Sequence, residues 1–196
     1  MAKILMGPCA SYAWRDDPRH LLFTMARYKF VAKMLSGRQK VLEIGCGDGF
    51  FSPIVLQEVG QLVCVEQDSA VIPKRPGFYC RDATRGQLPR GNDAAFCLDM
   101  IEHIDPAKEP AFMGNVSCAL LPDGVFIVGT PNKMSQAYAS KASLRDHINL
   151  HTDASLRGMM KRYFRNVFNF SMNDEVVHTG YAPMAHYLFC MGVGKQ

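Results

Sequence analysis

The sequence predicts an α/β fold: a doubly wound, mostly parallel sheet of seven strands with an antiparallel last strand and helices on both faces. Three observations carry that expectation. First, Lys40–Ile44 is a short β-type run that ends in Gly-Cys-Gly-Asp-Gly, with helix-compatible residues from Phe50 to Val59 and a second apolar run from Gln61 to Val65. Strand, turn, helix, strand in that order is a βαβ unit, which implies a parallel pair joined by a right-handed crossover. Second, the alternation continues, with β-type runs over 93–98 and 125–129 around a stretch of helical spacing from Pro106 to Leu121. Third, two β-rich stretches, Val167–Ser171 and His186–Val193, close the chain without a helical pattern between them, as an antiparallel sheet edge requires.

The remaining elements follow from local chemistry. Apolar residues recur at Leu21, Leu22, Met25, Phe30, Val31 and Met34, a helical period. Asp16 or Asp17 is the expected N-cap, Pro18 falls in the first turn and Gly37 is the stop. A short strand is expected to end near Cys80, and Pro122-Asp123-Gly124 breaks the helix before strand five. The 196 residues fit a single domain, with 1–37 as an N-terminal helical lid and 38–196 as the core.

Composition narrows the function classes. No apolar run approaches the roughly 20 residues that span a bilayer. The apolar patch in the opening Met-Ala-Lys-Ile-Leu-Met-Gly-Pro-Cys is too short for a signal-peptide core, so a cytoplasmic protein without a membrane partner is expected. Seven cysteines stand singly at 9, 46, 64, 80, 97, 118 and 190, which suggests neither a disulfide framework nor a structural zinc site. Cys64, Cys97 and Cys190 lie in apolar runs and read as small buried side chains. A net charge of +4 gives little support to a nucleic-acid partner, and Lys161, Arg162 and Arg165 read as a solvated helix face.

The glycine turn carries the chemistry. A glycine-rich turn between strand and helix lets a ligand approach the backbone and aims helix N-terminal amides at it. Here the pattern is Glu43-x-Gly45-x-Gly47-x-Gly49, not the Gly-x-Gly-x-x-Gly that seats a pyrophosphate. An acid two residues before the first glycine suits a ligand with an ammonium group. Glu66, at the end of the next strand, is placed for two ribose hydroxyls.

Val41-Leu-Glu-Ile-Gly-Cys-Gly-Asp-Gly-Phe50 resembles the first motif of class I S-adenosylmethionine (SAM)-dependent methyltransferases, a Rossmann-like family. The likeness continues in order. Val63–Glu66 resembles the ribose-binding strand end, which also implicates Gln67. Arg81-Asp82-Ala83 with Leu88-Pro89 resembles the adenine-binding segment, and 93–99 and 121–124 resemble the fourth strand and the turn before the fifth. The resemblance implies SAM as cofactor, bound by Glu43, Gly45, Gly47, Gly49, Glu66, Gln67, Asp82, Ala83 and Asp99.

After strand four stands Asp99-Met-Ile-Glu102-His103. A helical turn there would put Asp99, Glu102 and His103 on one side. This pattern resembles the acid-x-x-Glu-His metal motif of ubiquinone-biosynthesis O-methyltransferases and small-RNA 2′-O-methyltransferases. His147, in an Asp-His segment after strand five, would be a fourth ligand. Two readings stand: a divalent metal on Asp99, Glu102, His103 and His147, or a metal-free site in which Glu102 and His103 orient the cofactor and loop. Asp99 stands where the metal enzymes usually carry Glu.

Oxygen is the expected methyl acceptor. SAM is already an activated electrophile, so catalysis needs in-line positioning and removal of the acceptor's proton. Histidine is the usual base near neutral pH, and His103, His147 and His151 are candidates. His103 and His147 are preferred with Asp99 as the catalytic set, and His151 reads as packing or capping. In the lid, Tyr12, Trp14, His20, Arg27 and Tyr28 are candidate contacts; Arg27 reads either as a partner of the methionine carboxylate or as part of a solvated basic side. The 173–186 stretch reads as a long loop that sets specificity or forms a homodimer contact.

The stretch Leu22–Phe30 and the tail Asn173–His178 resemble methyltransferases associated with bacterial surface-glycan pathways. The expected reaction is methyl transfer to a hydroxyl of a small molecule, a sugar or glycan precursor. The alternatives are a metal-assisted RNA 2′-O-methyltransferase and a non-catalytic SAM-binding module.

Overall fold

In the computed structural model, which describes residues 5–196, eight strands form one sheet in the order β3-β2-β1-β4-β5-β8-β6-β7. In chain order these are β1 (Lys40–Ile44), β2 (Gln61–Glu66), β3 (Phe78–Cys80), β4 (Asn92–Leu98), β5 (Leu120–Pro131), β6 (Phe164–Asn173), β7 (Val176–His178) and β8 (Tyr187–Lys195). The first five strands pair in parallel, whereas β8 runs antiparallel to both β5 and β6. The first four residues of the opening stretch read against a signal peptide lie outside the described residues.

The expected seven strands are corrected to eight. Within the stretch expected to be a long loop, β7 folds back on β6 with Ser171 opposite His178. Asp174 takes a left-handed φ of 50°, a conformation Asp and Asn tolerate better than other non-glycine residues, and the chain reverses there.

Two apolar layers flank the sheet. Helices α2 (Arg19–Met34) and α3 (Ser52–Leu56) bury Tyr28, Val31, Ala32 and Val55 against Val41, Phe96 and Ile127. On the opposite face, α4 (Glu109–Ala119) and α6 (Asp153–Lys161) bury Phe112, Val116, Leu156 and Met160 against Leu42, Phe126 and Val128. Alternate residues of β1 and β5 thus serve opposite layers, the period of two that a doubly covered strand imposes. Each large side chain so buried contributes about 1.5–3 kcal/mol. A capping box fixes the start of α6: Thr152 accepts from the Ser155 amide, and Ser155 Oγ accepts from the Thr152 amide. A further short helix, α5 (Lys141–Asp146), follows β5.

The N-terminal segment holds two helices where one was expected. α1 (Pro8–Asp16) precedes α2, and Asp17 accepts from the Arg19 amide at the junction. Gly37, with φ of 81°, ends the segment as expected. No helix among the described residues is long and apolar enough to cross a membrane.

Candidate active site

The parallel strands direct their C-terminal ends to one rim, where a ligand of a doubly wound fold binds. A cavity of about 280 Å³ opens there, lined among others by Gly45, Glu66, Asp82, Ala83, Asp99 and His103. The turn after β1 makes the approach: Gly45, Gly47 and Gly49 have φ of 79°, 54° and 64°, a region that L side chains rarely adopt. At Gly45 a side chain would also meet Met100 Cγ at 2.8 Å. Glu66 is held ready, accepting from the Gln67 and Asp68 amides on Oε1 and from the Gly47 amide on Oε2. After β3, Asp82 Oδ1 accepts from Thr84 N and Oγ1, and these bonds hold its carboxyl below the usual range. Gln67 lines the cavity as well.

Glu43 does not line it, which corrects the expected contact with a ligand ammonium. Its position in β1 turns the carboxylate toward the α2 layer, where Tyr28 Oη donates to Oε1 at 2.6 Å and Cys64 Sγ lies 3.4 Å from Oε2. It is buried, and burial raises its pKa against the opposing hydrogen bonds. Gly47 and Gly49 also stand outside the lining. Gly47 faces Cys9, and Gly49 faces Phe78. Their contribution is to the shape of the turn.

The cluster after β4 differs from a simple helical turn. Asp99 has φ of 51°, and only Ile101–His103 forms a 3-10 turn. That left-handed residue breaks the i, i+3, i+4 register, so Asp99 leaves the side shared by Glu102 and His103. Both its oxygens lie 2.8 Å from Arg27 Nη1. The structure brings together Glu102, His103 and His147, whose candidate ligand atoms all lie within 4.8 Å of one another. The expected four-residue set is thereby corrected to three.

Glu102 is fully buried; Thr130 Oγ1 donates to its Oε2 while Oε1 has no partner. Burial first, then the charge of Asp99, pushes its pKa up to about 8. His103 Nδ1 lies 3.0 Å from the Asp146 carbonyl, which can only accept, so Nδ1 carries the proton and Nε2 is left free. The His147 ring meets His103 edge-on at 5.0 Å, its Nδ1 buried without a partner. Burial and the neighbouring His103 lower the His147 pKa, which keeps the ring neutral near pH 7. A carboxylate with two imidazoles is a donor set that fits a divalent cation, and the orphaned Oε1 and Nδ1 are consistent with one.

His151 is a packing residue, as expected. Its Nδ1 lies 3.2 Å from Ser155 Oγ and its Nε2 3.1 Å from Glu109. Arg162 and Arg165, exposed, pair with Glu109 and Asp123. Cys64, Cys97 and Cys190 are buried free thiols. In the N-terminal helices, Tyr12 and Trp14 are exposed, while Tyr28 is buried and Arg27 largely so, the two reaching Glu43 and Asp99. Sequence reasoning missed Thr84, Thr130 and Tyr187 as partners of this site. Only the Asp82-x-Thr84 spacing, an Asx-turn pattern, offered a local signal.

A glycine turn on a parallel β1–β2 pair, an acid at the end of β2 and a second acid after β3, around one rim cavity, define a class I SAM-dependent methyltransferase. The chain belongs to the methyltransferase domain family, whose profile matches residues 14–165. A relative from Mycolicibacterium smegmatis, described as a probable S-adenosylmethionine-dependent methyltransferase, is 28% identical over 116 residues, which cover 55% of this chain and 44% of that one. The chain thus spans less than half the length of this relative. Among solved structures, the methyltransferase domain of a bacterial Hen1 superposes with a TM-score of 0.70 at 19% identity, covering 88% of this chain and 99% of that one. A SAM-dependent methyltransferase from Archaeoglobus fulgidus gives 0.69 at 15% identity, covering 95% and 99%. These likenesses show the shared fold. The cofactor of the family is SAM.

Proposed function

We propose that the protein transfers the SAM methyl group to a hydroxyl of a small molecule, with a sugar or glycan precursor as the acceptor of first choice. In this reading the adenine lies by Asp82 and Ala83, the ribose hydroxyls on Glu66, and the methionine end against Gly45 and Asp99. The observation that carries the oxygen acceptor is the His103–His147 pair. The two rings lie 5.0 Å apart, and His103 lines the cavity with His147 packed edge-on behind it. A neutral imidazole there can accept the proton that a hydroxyl loses as it attacks the sulfonium methyl, a contribution of roughly 10²–10⁴ in rate. The test is a labelled-methyl screen over sugars, nucleotide-sugars, phenols and short RNA, with the product's methylated atom identified. Transfer to nitrogen or carbon rules the reading out.

A second reading, metal-assisted 2′-O-methylation of RNA, is favoured by the convergence of Glu102, His103 and His147 within 4.8 Å. Those three would hold the cation, which would lower the pKa of the acceptor hydroxyl. Glu102 would then need to be ionised, and Thr130 already fixes one of its oxygens. Activity on RNA that disappears in chelator and returns with added metal separates this reading from the first.

A further inference from the structure

Arg27 is largely enclosed, with 14% of its side chain exposed, and it stands on α2, outside the lining of the donor cavity. Its Nη1 holds both oxygens of Asp99 from behind, and its guanidinium lies 3.9 Å above the Tyr187 ring. Tyr187 in turn packs onto Gly129, where any Cβ would lie 2.6 Å from the phenol oxygen. The Gly129 carbonyl accepts from the Asp99 amide at 3.1 Å. The left-handed Asp99 is therefore clamped twice: its backbone by β5, and its carboxylate by a cation planted under the cavity floor. Such a conformation at a non-glycine residue costs of order 1–3 kcal/mol and persists only where the surroundings over-determine it. A buried guanidinium is likewise costly without its partner. Two unfavourable features are thus locked to each other, and what they jointly present to the cavity is one oriented carboxylate, about a third exposed.

We infer that Arg27 is a positioning residue that aims the Asp99 carboxylate at the α-ammonium of the cofactor's amino-acid end. The inference rests on the placement of SAM in the rim cavity. Arg27 neither touches the cofactor nor takes part in methyl transfer; it acts through Asp99. The α2 helix is thereby tied to the donor site by a side chain, not by simple coverage.

The experiment compares two ligands that differ only at that end of the molecule. S-adenosylhomocysteine carries the ammonium and carboxylate, whereas 5′-methylthioadenosine keeps the adenosine and thioether and lacks both. Calorimetry on the full chain is expected to show that Arg27→Met weakens S-adenosylhomocysteine by roughly tenfold or more, the scale of a charge-assisted hydrogen bond. Affinity for 5′-methylthioadenosine stays within about twofold. Arg27→Lys, which keeps the charge but loses the flat guanidinium that stacks on Tyr187, falls between wild type and Arg27→Met. Equal losses for both ligands, or no loss for either, overturn the inference, since a merely structural arginine would not distinguish them. Should Arg27→Met fail to fold, Arg27→Lys decides by the same ratio. Glu66→Ala serves as the control on the underlying placement: it weakens both ligands if they occupy the rim cavity. Wild-type protein that binds neither ligand defeats the placement and the inference with it.

Discussion

At His147, burial sets the protonation state: the ring loses water on one side and faces His103 on the other, and both effects favour the neutral form. A base for a hydroxyl must be neutral before attack, as the lowered His147 pKa makes this ring near pH 7. Substituting His147→Ala should lower methyl transfer at least 100-fold while S-adenosylhomocysteine affinity, read by calorimetry, is unchanged. Loss of binding in parallel with rate would instead make His147 part of the donor site. At this scale the sequence was most informative where chemistry is local. The Gly45-x-Gly47-x-Gly49 turn needed left-handed residues and has them. It was least informative where partners are distant: Arg27 and Asp99 stand 72 positions apart, and no spacing rule links them. Helical periodicity groups Asp99 with Glu102 and His103, but the positive φ of Asp99, which no sequence pattern marks, breaks that register.

Among the elements, α1 shows how a short helix is fastened to the glycine turn. Asp48 Oδ2 accepts from the Ala10 amide at 3.0 Å, and Oδ1 accepts from the Phe50 amide within the turn itself. Cys9 then lies against Gly47, so the helix packs directly on the turn. Asp48→Ala removes both acceptors and should cost about 1 kcal/mol. Its larger effect should be local: faster limited proteolysis within residues 8–16, with the core strands equally protected against hydrogen exchange. Uniform loss of protection across the sheet would show that α1 is part of the cooperative core. The helix itself was not foreseen, since Pro8 and a stretch with weak apolar periodicity gave no clear start. β7 likewise reads as loop in the sequence, although Asn173-Asp174 before a Val-Val pair is a turn signal of the right kind. A three-residue strand is too short for its alternation to register.

For the molecule as a whole, Glu43 links stability to pH. Its carboxyl sits inside the α2 layer, and burial raises its pKa above 4.5 despite the bond from Tyr28. The folded state therefore favours the protonated acid, and the unfolded chain releases that proton more readily. Below about pH 4.5 both states are protonated and the group costs nothing. As pH rises from there through the folded-state pKa, the charge must be carried inside the fold, and the contribution to stability is lost. Glu43→Gln keeps the shape and a carbonyl that accepts from Tyr28, but it cannot ionise. The variant should match wild type in thermal or denaturant unfolding near pH 4. It should become the more stable of the two above that, by about 1 kcal/mol at pH 7 and above, the lower end of the cost of a buried unsatisfied polar group. The opposite slope, with wild type gaining over the variant as pH rises, would mean that the ionised Glu43 is stabilised by the Tyr28 and Cys64 bonds more than burial penalises it. The same measurement on Tyr28→Phe separates those terms, because removing the donor should deepen the neutral-pH deficit of the wild-type acid, whereas in the Gln variant it costs one neutral hydrogen bond, about 1 kcal/mol, equally at every pH.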